Sequence, residues 1–145
     1  MVKVKDIFQF IDGIAPFEKS MKFDNCGLLI GSINNEVKKA LVALDVTKDV
    51  IKEAANLGAN LIISHHPVIF NALKKIEFES IPDLICKNNI NVICAHTNLD
   101  VAEKGVNFHL AKSIGLKNLT TLAYEDDLPI GLVGNLATEL PDKEF

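Results

Sequence analysis

Three apolar runs without polar alternation constrain the fold of this chain more than any other feature. They cover residues 39–46, 60–64 and 91–95, and helical segments separate them. Strands that read as near-continuous hydrophobic runs are typical of a parallel sheet that is covered on both faces. We therefore predict an α/β fold of three layers with a mostly parallel central sheet. The length of 145 residues suits a single domain over residues 1–145.

Helical periodicity and capping residues predict the segments between these strands. Apolar residues at helical spacing indicate a first helix over residues 4–14. Thr47 is expected to cap a helix that runs to Leu57, and Ser80 to cap another that has Pro82 in its first turn. The remaining predicted elements are a turn and short strand at 24–31, a helix at 105–114 and a strand at 118–122.

Composition and charge exclude several classes of function. The net charge is −4, and the fifteen Lys and Arg residues are scattered, so we expect no nucleic-acid partner. The longest apolar runs are far below the roughly 20 residues that cross a bilayer, and the first residues show no signal-peptide pattern. The three cysteines lack CxxC spacing and fit a reducing compartment, with Cys94 as a small core residue. We therefore expect a cytoplasmic protein without a membrane partner.

Three histidines and a carboxylate follow two of the predicted strands. His65 and His66 come directly after the run 60–64, and His96 and Asp100 follow the run 91–95. Parallel strands place their carboxyl ends along one edge of a sheet, where the sites of open α/β sheets form. Imidazole and carboxylate groups together are typical metal ligands. The sequence therefore predicts a metal site at this edge.

The adjacency of His65 and His66 bears on how they bind metal. Pro67 favours an extended backbone at His66, and extended neighbours point their side chains in opposite directions. The two imidazoles therefore either hold one each of two ions about 3.5–4 Å apart, or one of them is a catalytic or outer-sphere group. Asp100 has two carboxylate oxygens and can bridge such a pair of ions.

Structural roles are expected for the other polar residues near strand ends. Asp45 and Thr47 are interpreted as a strand end and a helix cap, and Asp24 and Asn25 as a turn. The acidic residues at 125–127 are interpreted as a solvated turn. The sequence contains neither GxxxxGK[ST] nor GxGxxG, so nucleotide binding of those kinds is not expected.

Four blocks of sequence occur in the order found in one known family. They are 24–31, 45–47, 63–70 and 95–100, and they resemble the blocks of the Nif-three-like family, many of whose members bear the name GTP cyclohydrolase 1 type 2. The resemblance implies the three-layer Nif-three-like fold, a hexameric assembly and a site for two divalent ions, among which zinc, iron and manganese are not distinguished. It implies that His65 and His66 bind different ions, that Asp100 is a bridging ligand, and that His96 lines the site.

Members of that family are longer than this chain, and their second half adds a histidine and a glutamate to the site. No His-x3-Glu pair follows Asp100 here. We therefore expect the chain to be the N-terminal half of a longer fold, with an incomplete metal site. The alternative is a short homologue that completes the site across an oligomer interface. Truncation also predicts an exposed apolar surface, which favours a homo-oligomer.

Two functions follow from these expectations. The first is a metal-dependent hydrolase acting on a nucleotide-like substrate, in which His96 is the catalytic residue that moves protons; the family reaction would be the hydrolytic opening of the GTP purine ring. The alternative is a metal-binding regulatory or protein-interaction module without catalysis. For the chain by itself we expect weak or absent activity.

Overall fold

A four-stranded sheet with helices on both faces is the main body of the computed structural model, which describes residues 1–138. The strands are β1 (Gly27–Ile30), β2 (Ala40–Ala43), β3 (Leu61–Ser64), β4 (Asn91–Cys94), β5 (Lys117–Glu125) and β6 (Leu128–Asn135). The helices are α1 (Val4–Ile14), α2 (Lys48–Leu57), α3 (Ile81–Lys87), α4 (Thr97–Val101) and α5 (Val106–Ser113), with a 3₁₀ helix at Phe17–Lys19. No helix among the described residues is both long enough and apolar enough to cross a membrane.

The sheet has the spatial order β1-β4-β3-β2, and only β1 runs antiparallel to its neighbour. The mostly parallel sheet that the apolar runs predict is therefore confirmed. The register pairs Ala43 with Ser64 and Ser64 with Cys94, so the three carboxyl ends lie side by side. The loops that carry the histidines start from this row.

Helices pack on both faces of the sheet. Neighbouring residues of a strand point to opposite faces, and in β3 and β4 both sets include apolar side chains, so each face needs a cover. Ile62 and Val92 pack with α2 and α3 in one hydrophobic cluster, whereas Leu61 and Ile93 pack with α1 in another. All four side chains are fully buried, and each such burial stabilises the fold by about 1.5–3 kcal/mol. The arrangement is the three-layer architecture that the sequence predicts.

Capping residues set the ends of the helices that position the site. The Thr47 hydroxyl accepts a hydrogen bond from the Val50 backbone N–H at 3.2 Å, and Gly58 follows the helix with a φ of 67°. Both match the predicted cap and end of α2. Ser80 does precede α3, but its hydroxyl donates to the Glu77 carbonyl instead of accepting a capping bond.

Two strands differ in length from their predictions. β2 is shorter than the run 39–46, because the chain bends at Leu44 and Asp45 before the Thr47 cap. β5 is longer than 118–122, because it pairs with β6 in an antiparallel hairpin. Asp126 and Asp127 form the hairpin turn, where the sequence predicts a turn. Their φ values of 48° and 65° are both positive, as two-residue hairpin turns of type I′ require.

Candidate metal centre

The three histidines at the strand ends meet at one point of the carboxyl edge. His65 and His66 follow β3, while His96 follows β4 and immediately precedes α4. The ring centre of His65 is 5.1 Å from those of His66 and His96, and the latter two are 5.7 Å apart. One ligand atom from each ring lies within 4.8 Å of the others. Adjacent histidines thus reach a common point even though an extended backbone favours opposite directions.

A hydrogen bond at Nδ1 fixes the imidazoles of His65 and His66. The distance from His65 Nδ1 to the Ala95 carbonyl oxygen is 3.0 Å, and that from His66 Nδ1 to Asp45 Oδ1 is 2.7 Å. A carbonyl and a carboxylate only accept, so each Nδ1 carries the hydrogen. The lone pair of each Nε2 is left free for a metal, which is the arrangement that metal-binding histidines usually have.

Asp24 fixes His96 in the same way. Its Oδ1 lies 2.9 Å from His96 Nδ1, across 72 residues of sequence. Its Oδ2 accepts from the Thr97 backbone N–H and hydroxyl and from the Cys26 thiol. Burial alone would raise the pKa of Asp24, but hydrogen bonds from Cys26, His96 and Thr97 outweigh it and hold the pKa well below its usual range. A buried, ionised carboxylate therefore orients His96.

Asp100 brings a carboxylate to the histidines from the first turn of α4. Its Oδ1 is 3.6 Å from His65 Nε2, and its side chain is about one third exposed. Asp100 also lines a cleft of about 600 Å³ between α5 and the β5–β6 hairpin. Asp100 therefore adjoins both the histidines and this cleft.

Two cysteine thiols lie behind this cluster. Cys94 is fully buried and donates to the His65 carbonyl oxygen at 3.1 Å, while the half-buried Cys26 donates to Asp24 Oδ2 at 3.0 Å. The interaction between the two thiol groups lowers the pKa of Cys26 and, together with burial, raises the pKa of Cys94.

Two residues that the sequence assigns to structural roles belong to the site. Asp24 is not a simple turn residue, because it holds His96, and Asp45 is more than a strand end, because it holds His66. Both carboxylates act across the fold, which no local pattern reveals. Their only sequence signal is that each stands in one of the blocks that resemble the Nif-three-like family.

A family model described as Duf34/NIF3 (NGG1p interacting factor 3) matches residues 2–145. The chain belongs to the NIF3 family. It is 42% identical over 130 residues to a protein of Staphylococcus aureus strain MRSA252 named GTP cyclohydrolase 1 type 2 homolog. That match covers 88% of this chain and 36% of the relative, so the chain spans about a third of the length of such NIF3 relatives.

Solved structures agree with this membership of the NIF3 family. A Bacillus cereus protein related to NIF3 is 44% identical, with a TM-score of 0.79 over 84% of this chain and 35% of its own. Reduced HcgD from Methanocaldococcus jannaschii is 33% identical, with a TM-score of 0.82 over 92% of this chain and 54% of its own. The fold of this NIF3 chain is therefore that of part of its relatives' chains.

The donor set fits a divalent metal ion. His65, His66 and His96 converge, their Nδ1 atoms are all engaged by acceptors, and Asp100 adds a carboxylate beside them. Mixed imidazole and carboxylate donors accept several first-row divalent ions. The histidine triad of this NIF3 chain can therefore hold a metal.

Proposed function

We propose that this chain carries part of the catalytic site of a divalent-metal-dependent hydrolase. The observation that supports the proposal is the orientation of the three imidazoles, each fixed at Nδ1 by a separate acceptor. Side chains held in this way keep their Nε2 atoms preorganised for a ligand, which is the arrangement that metal-dependent catalysis needs. The chain covers about a third of its relatives' length, so the activity of the whole protein remains part of this proposal.

His65, His66 and Asp100 would hold the metal. Bound there, a divalent ion would polarise an electrophilic substrate and lower the pKa of water. Asp45 keeps His66 in place from the end of β2, and the Ala95 carbonyl keeps His65 in place from the end of β4. That His65 and His66 bind different ions, with Asp100 as the bridge, stays a prediction.

His96 would move the proton. Its Nδ1 hydrogen bonds to the buried Asp24 carboxylate, so Nε2 is the atom that accepts a proton from the attacking group. The ionised Asp24 also stabilises the imidazolium that forms when Nε2 takes up that proton. His96 and Asp24 together are therefore equipped as a general base with its orienting carboxylate.

A nucleotide-like substrate is proposed from the relatives and the cleft. The S. aureus relative bears the name GTP cyclohydrolase 1 type 2 homolog. The residues that line the cleft beside Asp100 include Lys19, Lys104 and Phe108, together with the acidic Glu103 and Asp127. Lysine suits phosphate oxygens and an aromatic residue suits a base, so Lys19, Lys104 and Phe108 support a phosphorylated aromatic substrate.

The test separates metal binding from proton transfer. The chain and its His96→Gln variant are loaded with zinc or manganese, and the loss of the purine absorbance of GTP is followed. We expect His96→Gln to keep its metal and lose at least about 100-fold in rate, since general acid–base groups contribute about 10²–10⁴-fold. His109→Ala removes the exposed histidine on α5 and is the matched control.

Three results would contradict the proposal. Metal-loaded chain with no hydrolysis of GTP or of a simple phosphate ester would exclude catalysis by this chain alone. His96→Gln at full activity would exclude His96 as the base. Loss of metal from His96→Gln would make His96 a ligand instead.

The second candidate is a metal-binding interaction module without catalysis. The family description, NGG1p interacting factor 3, names an interaction and not a reaction. A metal-loaded chain that turns over neither GTP nor a phosphate ester, but still loses its metal in His65→Ala/His66→Ala, would favour this candidate.

A further inference from the structure

Cys26 immediately precedes β1, and Cys94 is the last residue of the neighbouring strand β4. Cys94 pairs with Gly27, so Cys26 is one residue from the position that faces it. The two thiol groups also influence the pKa of each other more than any other side chain does. A strand spacing of about 4.8 Å and a step of about 3.4 Å along the strand give a diagonal Cα separation of about 6 Å, which lies within the range of about 4.4–6.8 Å that disulfides span. The backbone positions of the two residues therefore suit a disulfide.

The two thiols differ in access to solvent. Cys94 is fully buried, whereas Cys26 is partly exposed. A small oxidant therefore reaches Cys26 first, and Cys94 is the neighbour that can complete the bond. Cys86 on α3 is exposed and belongs to neither strand, so it serves as an internal comparison.

We propose that Cys26 and Cys94 form a disulfide when a low-molecular-weight disulfide oxidises the protein, and that this bond loosens the histidine site. The Cys26 sulfur attacks one sulfur of the small disulfide, and the first small thiol leaves. The Cys94 sulfur then attacks the Cys26 sulfur of the mixed disulfide, and the second small thiol leaves. Two electrons and two protons pass from the protein thiols to the small disulfide, which ends as two thiols.

Oxidation affects the histidine site because it removes the S–H hydrogens of Cys26 and Cys94. The Cys26 thiol donates to Asp24 Oδ2, and the Cys94 thiol donates to the His65 carbonyl oxygen. A disulfide has no S–H, so both hydrogen bonds are lost. Asp24 is the group that orients His96. The oxidised protein therefore holds His96 and His65 less firmly, a consequence that matters for metal binding only if the proposed function is correct.

Peptide mapping tests the disulfide directly. The reduced chain is incubated with oxidised glutathione, its remaining thiols are alkylated, and its peptides are analysed by mass spectrometry. We expect a linked peptide containing Cys26 and Cys94, and the same product from Cys86→Ser. Cys26→Ser, with folding checked by circular dichroism, should form no such peptide. A stable glutathione adduct on Cys26, or full alkylation of both residues after oxidation, would overturn the proposal.

Zinc affinity tests the link to the histidine site. Reduced and oxidised Cys86→Ser are titrated with zinc, and we expect at least about tenfold weaker binding after oxidation, because the Cys94 thiol no longer holds the backbone of the proposed ligand His65. Unchanged affinity in a fully oxidised sample would overturn the coupling. If the reduced protein binds no zinc, the proposed function fails, whereas the linked peptide still decides whether the disulfide forms.

Discussion

Asp24 is the residue at which the hydrogen bonds of the site converge. Its side chain is inaccessible to solvent, and it accepts hydrogen bonds from His96, Thr97, Cys26 and the backbone of Asn25. A buried carboxylate is stable only when such partners surround it. Asp24 therefore joins the approach to β1 to the start of α4 and orients His96 at the same time.

Replacing Asp24 tests this double role. Asp24→Asn should lower the rate of GTP loss at least about tenfold, because the imidazole of His96 loses the carboxylate that orients it for proton transfer, and lower the free energy of unfolding by about 2 kcal/mol. The absorbance assay and urea denaturation measure the two effects. Asp126→Asn, at the hairpin turn, is the matched control and should change neither. Equal rates in wild type and Asp24→Asn would show that Asp24 does not orient His96 for catalysis.

The contribution of Asp24 to the free energy of unfolding should depend on pH. Burial alone would raise its pKa, but hydrogen bonds from Cys26, His96 and Thr97 outweigh burial and lower the pKa in the folded state from the ordinary value of 3.8. Its contribution to stability is therefore present above that pH and is lost as the pH falls. The difference in unfolding free energy between wild type and Asp24→Asn should be constant above about pH 5 and shrink below about pH 3.8. Urea denaturation across this range measures it. A difference that does not change with pH would contradict an ionised Asp24.

The sequence predicted the histidines and Asp100 of the site, but not the role of Asp24. His65, His66, His96 and Asp100 follow apolar strands, so the sequence placed them at one edge, where the structure brings them together. The role of Asp24 depends on how the chain before β1 approaches α4. Tertiary packing determines how these two segments lie together, and local sequence patterns do not predict it.

At the scale of elements, the length of a helix determined whether the sequence predicted it. The helices α1 and α2 repeat their apolar face often enough to be seen, and Thr47 and Gly58 mark the ends of α2. α4 has only five residues, too few for periodicity, and no prediction covered it. It nevertheless carries Asp100 into the site.

Two glycines give opposite predictions for substitution by alanine. Gly31 follows β1 with a φ of 109°, and a Cβ there would lie 2.8 Å from Asn91 Cγ. Asn91 cannot move, because it accepts from Ser32 and Asn35. Gly31→Ala should therefore cost about 2–4 kcal/mol. Gly13→Ala, in open space on α1, should gain about 0.5 kcal/mol. Thermal unfolding compares the two, and equal stabilities would contradict the conformation described for Gly31.

At the scale of the whole molecule, the outer strand of the sheet leaves apolar side chains uncovered. Val42 on β2 is 76% exposed, and Leu44 just beyond it is 61% exposed. An edge strand with such side chains is a template for pairing with another chain. The homo-oligomer expected from the sequence stays a prediction, and this edge is the interface that we propose for it.

Self-association through this edge can be measured. Val42→Lys should shift the chain toward monomer at equal concentration in sedimentation equilibrium, because a charge on an edge strand opposes pairing. Leu57→Lys, at the exposed end of α2, is the control and should leave the mass distribution unchanged. Association that Val42→Lys does not weaken would place the interface elsewhere.

The metal content of the chain tests the central claim most directly. Protein purified without chelator, and again after zinc loading, is assayed by elemental analysis beside His65→Ala/His66→Ala and His109→Ala. We predict at least one divalent ion per chain in wild type and in His109→Ala, and loss of that ion in His65→Ala/His66→Ala. Two ions per chain would support the two-ion expectation. No bound metal after loading, or equal content in the double variant, would contradict a metal site at His65, His66 and Asp100.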